Sequence, residues 1–136
     1  LRTSRYRTAA MAHGVAAIAS DLGARWIVTW SELGGAARHL SQHRMPVPIM
    51  AMSSNEAALR QMSLAFGVYP VHMERPASTD DFVSAVDTLL LATGWGEAGD
   101  AAVFAVGVPL GTPGVLNGIR IHYLGDVCRL TWHAKG

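Results

Sequence analysis

The segment VTWSELGGAARHLSQHR, residues 28–44, joins the end of an apolar run to an amphipathic stretch through two adjacent glycines. The run RWIVTW, residues 25–30, is rich in the β-branched and aromatic residues that favour a strand. The stretch from Leu33 onward predicts a helix, which ends before Met45 and Pro46 because a residue that precedes proline disfavours helical backbone. A strand that leads directly into a helix is the repeating unit of α/β proteins.

Strands and helices alternate along the rest of the chain in the same way. The predicted strands are residues 25–30, 47–52, 68–73, 100–108 and 115–125. The predicted helices are residues 4–22, 33–44, 53–67 and 78–94. Ser53 with Glu56 predicts a capping box for the third helix, and Ser78 with Asp81 predicts a cap for the fourth. The pattern therefore predicts a three-layer α/β/α fold with a five-stranded sheet.

The predicted sheet is mixed, with strand order 3-2-1-4-5. Strands joined by helices run parallel, whereas the loop GVPLGTPG, residues 107–114, is too short for a helical crossover, so the fifth strand runs antiparallel to the fourth. Pro70 places the third strand near an edge, because proline cannot donate to a central ladder. Ligands of open α/β sheets bind where the strand order reverses. The loop SELGGAA, residues 31–37, is therefore expected to meet the loop 107–114 at a binding site.

Gly34 and Gly35 at the start of the second predicted helix suit an anion, because a helix N-terminus offers free N–H groups and a partial positive charge. The glycine spacing matches neither the dinucleotide fingerprint nor the P-loop, and Lys135 near the C-terminus is the only lysine. A site that hydrolyses nucleotides is therefore not expected. The alternative is purely structural: the glycines let the helix and the strand approach closely.

Composition excludes several classes of protein. With 136 residues, 15% charged residues and a formal net charge of +1, the chain fits one folded domain with no strong attraction to nucleic acid. No apolar run of about 18 residues predicts a membrane span, and no signal segment is evident. The single Cys128 rules out an internal disulfide and suits a reducing cytoplasm. Because the first residue is Leu1, we expect residues 1–136 to be one domain excised from a longer protein.

Three motifs occur in order along the chain. They are the strand-to-helix turn with Ala-Ala-Arg at residues 31–38, MPVPIMAMSSNEAALRQMSLAFGVYPV at residues 45–71, and GVPLGTPGVLNGIRIH at residues 107–122. In this order and spacing the chain resembles the C-terminal domain of pyruvate kinase over nearly its whole length. The resemblance implies the same five-stranded mixed sheet that the element pattern predicts.

The resemblance also implies a role without catalysis. In that family a separate barrel domain holds the active site, with its lysine, Mg²⁺ or Mn²⁺, and K⁺, and no catalytic motif of the family occurs in this chain. We therefore expect no cofactor and no catalytic residue here. The expected partners are the barrel domain of the same chain, further copies in a homotetramer, and in many members a phosphorylated small-molecule effector. Neither nucleic acid nor a membrane is an expected partner, and the expected location is cytoplasmic.

The effector site carries over only in part. Members that respond to fructose bisphosphate typically have Thr/Ser-x-Ser-Gly-x-Ser/Thr in the first loop, whereas Leu33 and Ala36 stand here where two of the hydroxyls would be. Each lost hydrogen bond to a charged group is worth about 1.5–3 kcal/mol, which weakens phosphate binding by about two to four powers of ten. A weaker or different phosphate ligand stays open. The implied site residues are Ser31, Gly34, Gly35, Ala36, Gly107, Pro109, Gly111, Gly114 and Asn117.

Several single residues allow a purely structural role as well as a functional one. His39 and His43 lie four apart on a predicted helix, but no third metal ligand has a suitable spacing. Arg38 suits either an anion or a structural ion pair. Of Trp26 and Trp30, alternation along the strand is expected to send one inward.

Two other functions remain open from sequence. One is a free-standing small-molecule binding module of the same fold. The other is an independent enzyme that uses Cys128 or a histidine, for which no supporting motif is present. Asn117 is expected to order its loop through backbone hydrogen bonds.

Overall fold

A computed structural model of the chain describes residues 2–107, 110 and 116–126. The helices are α1 (Arg2–Leu22), α2 (Gly35–Gln42), α3 (Glu56–Met62) and α4 (Thr79–Thr93). The strands are β1 (Trp26–Trp30), β2 (Ile49–Ser53), β3 (Val68–His72), β4 (Ala101–Val106) and β5 (Gly118–Tyr123). The predicted sequence of elements is confirmed, although α2 and α3 are shorter than predicted. Among the described residues, no helix is long and apolar enough to cross a bilayer.

The five strands form one sheet in the order β3-β2-β1-β4-β5. Strand β1 lies in its centre: Ile27 is in register with Ile49 of β2 on one side and with Val103 of β4 on the other, both in parallel. Strand β3 runs parallel to β2, and β5 runs antiparallel to β4. The predicted α/β fold with a mixed sheet is confirmed, and Pro70 lies on the edge strand β3 as expected. The strand order reverses between β1 and β4.

Alternate side chains of the central strands point into two separate cores. Ile27 and Val103 belong to the core on the α1, α2 and α3 side, whereas Val28 and Phe104 belong to the core on the α4 side. Every residue of β1, β2 and β4 is buried, because helices cover both faces. The continuous apolar runs that predicted these strands follow from this double coverage.

The core under α1, α2 and α3 is built largely from alanine. Small side chains at the contacts allow these helices to lie close to the sheet. The buried alanines of this core are Ala12, Ala19, Ala24, Ala37, Ala51, Ala58, Ala101 and Ala105.

The α4 side of the sheet is filled with large side chains instead. Phe82 packs edge-to-face on Phe104, with ring centroids 5.6 Å apart, and on Trp30 at 5.8 Å. The expectation that only one of Trp26 and Trp30 points inward is wrong, since both are buried on this side. Residues four apart on a strand share a face, and the opposite face of β1 is equally buried.

The cap of α4 is the predicted one, whereas that of α3 is not. Ser78 Oγ accepts a hydrogen bond from the Asp81 N–H at 3.1 Å. For α3 the cap is Asn55, whose Oδ1 accepts from the Ala58 N–H at 3.0 Å, so the predicted Ser53–Glu56 capping box is wrong. Strand β2 extends through Ser53, and the chain turns into a helix only after it.

A buried hydrogen bond between side chains joins α4 to the edge of the sheet. Nε2 of His122 on β5 donates to Oδ2 of Asp87 on α4 at 2.7 Å, and both side chains are buried. The N–H of Gly125 donates to the same oxygen at 2.8 Å. The carboxylate of Asp87 therefore holds the end of β5 against the single helix on its side.

We expect Asp87→Ala to lower the free energy of unfolding by about 2 kcal/mol or more, because it leaves the buried Nε2 of His122 and the N–H of Gly125 without their acceptor. Denaturant unfolding of both proteins measures the difference. The matched control is Asp81→Ala on the same helix, where the carboxylate is exposed and its loss should cost less than about 1 kcal/mol. Equal losses in the two variants would show that the Asp87–His122 pair contributes little.

Candidate functional site

The candidate site lies at the carboxyl edge of the sheet, where the strand order reverses. Ser31 directly follows β1, and Gly107 directly follows β4; both are buried. Open α/β sheets bind ligands at this position because helix N-termini and loops converge there. The first loop is fully described, so its geometry can be compared with each predicted residue.

Ser31 holds the start of α2. Its Oγ accepts a hydrogen bond from the Ala37 N–H at 3.1 Å, and its carbonyl accepts from the Gly34 N–H at 3.2 Å. The amides of Gly35 and Ala36 are left without an acceptor among the described residues. The N–H groups of this turn that are free to bind an anion are therefore those of Gly35 and Ala36, whereas the predicted Gly34 N–H is already bonded to Ser31.

The structure requires glycine at position 34 but not at position 35. Gly34 has φ of 92°, a left-handed conformation that glycine adopts without steric cost. A Cβ atom on Gly34 would lie at an ordinary contact distance of 3.5 Å from Cγ of Met62, and none of the described atoms lies within 4 Å of a Cβ on Gly35. Close approach of helix and strand therefore explains neither glycine.

Glu32 joins the first loop to the loop that follows β2. Its Oε1 accepts from the Ser54 N–H at 3.0 Å and from Ser53 Oγ at 3.3 Å, and its Oε2 accepts from Ser54 Oγ. Partial burial raises the pKa of Glu32, whereas hydrogen bonds from Ser54 and Ser53 and the positive charge of Arg75 lower it. The lowering effects together exceed the effect of burial, so the pKa lies below the ordinary value of 4.5. The candidate anion site therefore has a fixed carboxylate beside it.

Sequence reasoning missed this role of Glu32. A usable signal was present: Ser53 and Ser54 end β2, and Glu32 follows the neighbouring parallel strand, so the three meet at one edge of the sheet. Carboxylates and serine hydroxyls at adjacent strand ends predict such a contact.

Arg38 lies beside the glycine turn. An open groove of about 280 Å³ is lined by Gly34, Arg38, Gln61, Met62, Leu64 and Ala65. A Cβ atom on Gly34 would lie 4.0 Å from Nη2 of Arg38. Of the two alternatives for Arg38, the structural ion pair is not seen within the described residues, where the ion pairs of arginine are limited to that of Arg120 with Asp80. The exposed guanidinium is thus available to an anion next to the amides.

The second predicted loop is described only in part. Pro109, Gly111 and Gly114 lie outside the described residues, so their meeting with the first loop stays a prediction. Leu110 packs against the core on the α4 side. The N–H of Asn117 donates to the Val106 carbonyl at 3.0 Å. The predicted role of Asn117 in ordering the loop stays a prediction, because most of that loop lies outside the described residues.

The histidines on α2 have a local partner. Nδ1 of His43 donates to the His39 carbonyl at 2.8 Å. Within residues 2–107, 110 and 116–126, no three His, Cys, Asp or Glu side chains group in a way that could hold a metal ion. Cys128, the other residue considered for catalysis, lies outside the described residues.

A comparison of the sequence with models of known protein families identifies the family of this chain. The model of the family described as pyruvate kinase, alpha/beta domain matches residues 9–122. This chain belongs to that family. The match covers all five strands of the sheet except the last residue of β5.

Relatives of this alpha/beta domain are pyruvate kinases. Pyruvate kinase of Lactococcus lactis subsp. lactis is 35% identical over 125 residues, which are 89% of this chain and 25% of that protein. Pyruvate kinase of Clostridium acetobutylicum is 32% identical over 108 residues, 79% of this chain and 23% of that protein. The chain therefore spans about a quarter of the length of these relatives.

A solved structure supports the fold of this alpha/beta domain. The crystal structure of a pyruvate kinase from Cryptosporidium parvum superposes with a TM-score of 0.76, over 87% of this chain and 23% of that one. The sequences are 24% identical, so this likeness concerns the fold alone.

We expect Gly34→Ala to lower the free energy of unfolding by about 1–2 kcal/mol, because alanine disfavours the left-handed backbone at φ of 92°. Gly35→Ala is the matched control. Its position is helical and open, so alanine should leave stability unchanged or raise it by about 0.5 kcal/mol. Thermal and denaturant unfolding measure both. Equal destabilisation by the two variants would contradict this assignment of roles.

We expect Glu32→Gln to destabilise the fold by about 1 kcal/mol near neutral pH. The substitution replaces a partly exposed carboxylate with a neutral amide, so the hydrogen bonds from Ser53 and Ser54 become weaker. A carboxylate whose folded pKa is depressed stabilises the fold above its unfolded pKa, and this contribution disappears as the pH falls through the folded value. The difference between the two proteins should therefore shrink below pH 4.5. Melting curves from pH 7 to pH 3 test this, with exposed Glu74→Gln as the control. A difference that does not change with pH would contradict the role of the charge.

Proposed function

We propose that this chain is the C-terminal regulatory and oligomerising domain of a pyruvate kinase, an enzyme that transfers a phosphoryl group between phosphoenolpyruvate and ADP. The observation that carries the proposal is the family match over residues 9–122. The chain spans 19–25% of the pyruvate kinases it matches, which supports its being one domain of a longer enzyme. The lysine, the divalent metal and K⁺ of the reaction are assigned to the barrel domain, and the chain alone is proposed to be inactive.

The proposed ligand of the regulatory site is a phosphorylated small molecule. The amides of Gly35 and Ala36 point out of the N-terminus of α2, where the helix dipole favours an anion. Arg38 adds a positive charge from the next turn of the helix. Together these groups provide two N–H donors and one guanidinium for a phosphate.

Two features limit the strength of this site. Leu33 is 65% exposed and has no hydroxyl to offer, and Ser31 Oγ already accepts the Ala37 N–H. The carboxylate of Glu32 adds a negative charge close by, which disfavours ligands of high charge. We therefore propose a phosphate monoester bound more weakly than the bisphosphates that members with three hydroxyls take.

Titration of the chain with glucose 6-phosphate, ribose 5-phosphate and AMP, followed by calorimetry, tests the proposal. Arg38→Gln should weaken binding about tenfold or more, because a hydrogen bond to a charged group is lost. Arg60→Gln on α3, which also removes an exposed arginine, should leave binding unchanged. Analytical ultracentrifugation with and without the ligand should show assembly beyond the monomer.

Several outcomes would contradict the proposal. Failure of all three compounds to bind at millimolar concentration would remove the effector site. A strictly monomeric chain that shows no ligand response would leave neither a regulatory nor an oligomerising role. Phosphoryl transfer by the chain alone would contradict its assignment as a domain without catalysis.

A further inference from the structure

The outer edge of β5 has no neighbouring strand among the described residues. Strand β5 is last in the order of the sheet and pairs with β4 on its inner side. Its residues Ile121 and Tyr123 are 44% and 43% exposed. An open edge presents a row of unpaired N–H and C=O groups, and folded proteins cover or block such an edge. A partner for the edge of β5 is therefore expected.

The hydrogen bonds beside β5 show which of its backbone groups face outward. Leu124, just after the strand, donates its N–H to the Asp100 carbonyl at 2.9 Å, and its own carbonyl also accepts a bond on that side. Both backbone groups of Leu124 thus point toward β4. The direction of these groups alternates along an antiparallel strand. The N–H and C=O groups of Ile119, Ile121 and Tyr123 therefore point to the outer edge.

A turn directs the chain onto this outer edge. The Asp126 N–H donates to the outward carbonyl of Tyr123 at 3.1 Å. Gly125, between them, has φ of 94°, which glycine adopts without steric cost. Its N–H donates to Oδ2 of Asp87 at 2.8 Å, so the turn is fixed to α4. Asp126 is thus placed opposite Tyr123, on the side of β5 away from β4.

The segment that follows the turn has the length and the pattern of a strand. Ten residues follow Asp126 and lie outside the described residues. Since a strand rises about 3.4 Å per residue, the first six of them, 127–132, match the six residues of β5. From position 128 they alternate between apolar and polar, the pattern of a strand with one covered face. The apolar members are Cys128, Leu130 and Trp132, and the polar ones are Arg129 and Thr131.

The turn also sets the register of this segment on β5. Counting from the turn, Cys128 falls opposite Ile121. Leu130 likewise falls opposite Ile119, which already packs against the core on the α1 side. Residues opposite each other on paired strands lie on one face of the sheet. The apolar side chains of the segment therefore extend that core over the exposed part of Ile121.

The polar residues of the segment face the α4 side of the sheet. Arg129 falls opposite Arg120, whose guanidinium bonds to Asp80 at the start of α4. Like charges opposite each other are unfavourable, but the first turn of α4 carries both Asp80 and Asp81. Two carboxylates therefore stand on the face that receives the two guanidinium groups.

We propose that residues 127–132 form a sixth strand, antiparallel to β5 along its outer edge, with Cys128 and Leu130 on the α1 side of the sheet. The occupant of this edge is thus the chain's own C-terminal segment. A second copy cannot pair with β5 while this strand is in place, because both would use the same N–H and C=O groups. The inference is independent of the effector site, and it assigns the assembly proposed above to other surfaces.

Disulfide formation with Cys128, the single cysteine of the chain, tests the register. Ile121→Cys places a thiol opposite Cys128, at a Cα separation of about 5.5 Å, which suits a disulfide. Arg120→Cys is the matched control, because its side chain lies on the other face of β5. With oxidised glutathione, which takes up the two hydrogens, only the folded Ile121→Cys protein should lose both free thiols within one chain. In denaturant the two variants should react alike, and thiol titration and the intact mass measure both.

Hydrogen exchange of the Ile119 amide tests the pairing itself. Leu130→Pro removes an N–H that faces β5 in the proposed register. Thr131→Pro is the matched control, because its N–H faces solvent and an edge strand tolerates proline there. We expect Leu130→Pro to speed exchange of the Ile119 amide about threefold to tenfold, the value of one neutral hydrogen bond. Thr131→Pro should leave it unchanged, and ¹H–¹⁵N spectra in D₂O measure both rates.

Three results would overturn the proposal. Equal disulfide formation by the two folded cysteine variants would show that the segment is not held in this register. A disulfide that links two chains, seen as a doubled mass, would make a second copy the occupant of the edge. An Ile119 amide whose exchange is the same in both proline variants and in the unchanged chain would show that the segment does not pair with β5.

Discussion

Strand β1 is bonded to parallel neighbours on both edges and covered by helices on both faces, and the rest of the molecule is arranged around it. The chain moves from β1 outward to β2 and β3, and then returns through α4 to pair β4 with the free edge of β1. This return places α4 on the face opposite α1, α2 and α3. It also makes the strand order reverse between β1 and β4. The position of the candidate site is therefore a consequence of how β1 is paired.

The unequal number of helices on the two faces explains the unequal composition of the two cores. Where α1, α2 and α3 share one face, alanines at the contacts let them approach the sheet. A single helix covers the other face, and large rings such as Phe82, Phe104 and Trp30 fill the space beside it. Close packing requires small side chains on the first face and large ones on the second, because a void of even one methylene group reduces stability.

The candidate site combines features that act in opposite directions on an anion. The amides of Gly35 and Ala36 and the guanidinium of Arg38 favour a phosphate, whereas the anchored carboxylate of Glu32 opposes a high charge. Ser31 supplies its hydroxyl oxygen to the backbone of α2. The effector that we propose for this site is therefore a phosphate ligand of low charge.

The sequence alone determined the order of elements and the mixed sheet, because helix spacing, short loops and Pro70 act locally along the chain. Family membership followed from the motifs, and the comparisons confirm it. Only the tertiary structure decided which side chains meet. Ser53 Oγ donates to the Glu32 carbonyl, 21 positions earlier, instead of capping α3, and Trp30 lies in one core cluster with Phe82 of α4 and Val106 of β4. Contacts between residues distant in sequence depend on how whole strands and helices pack, and local patterns do not record that packing.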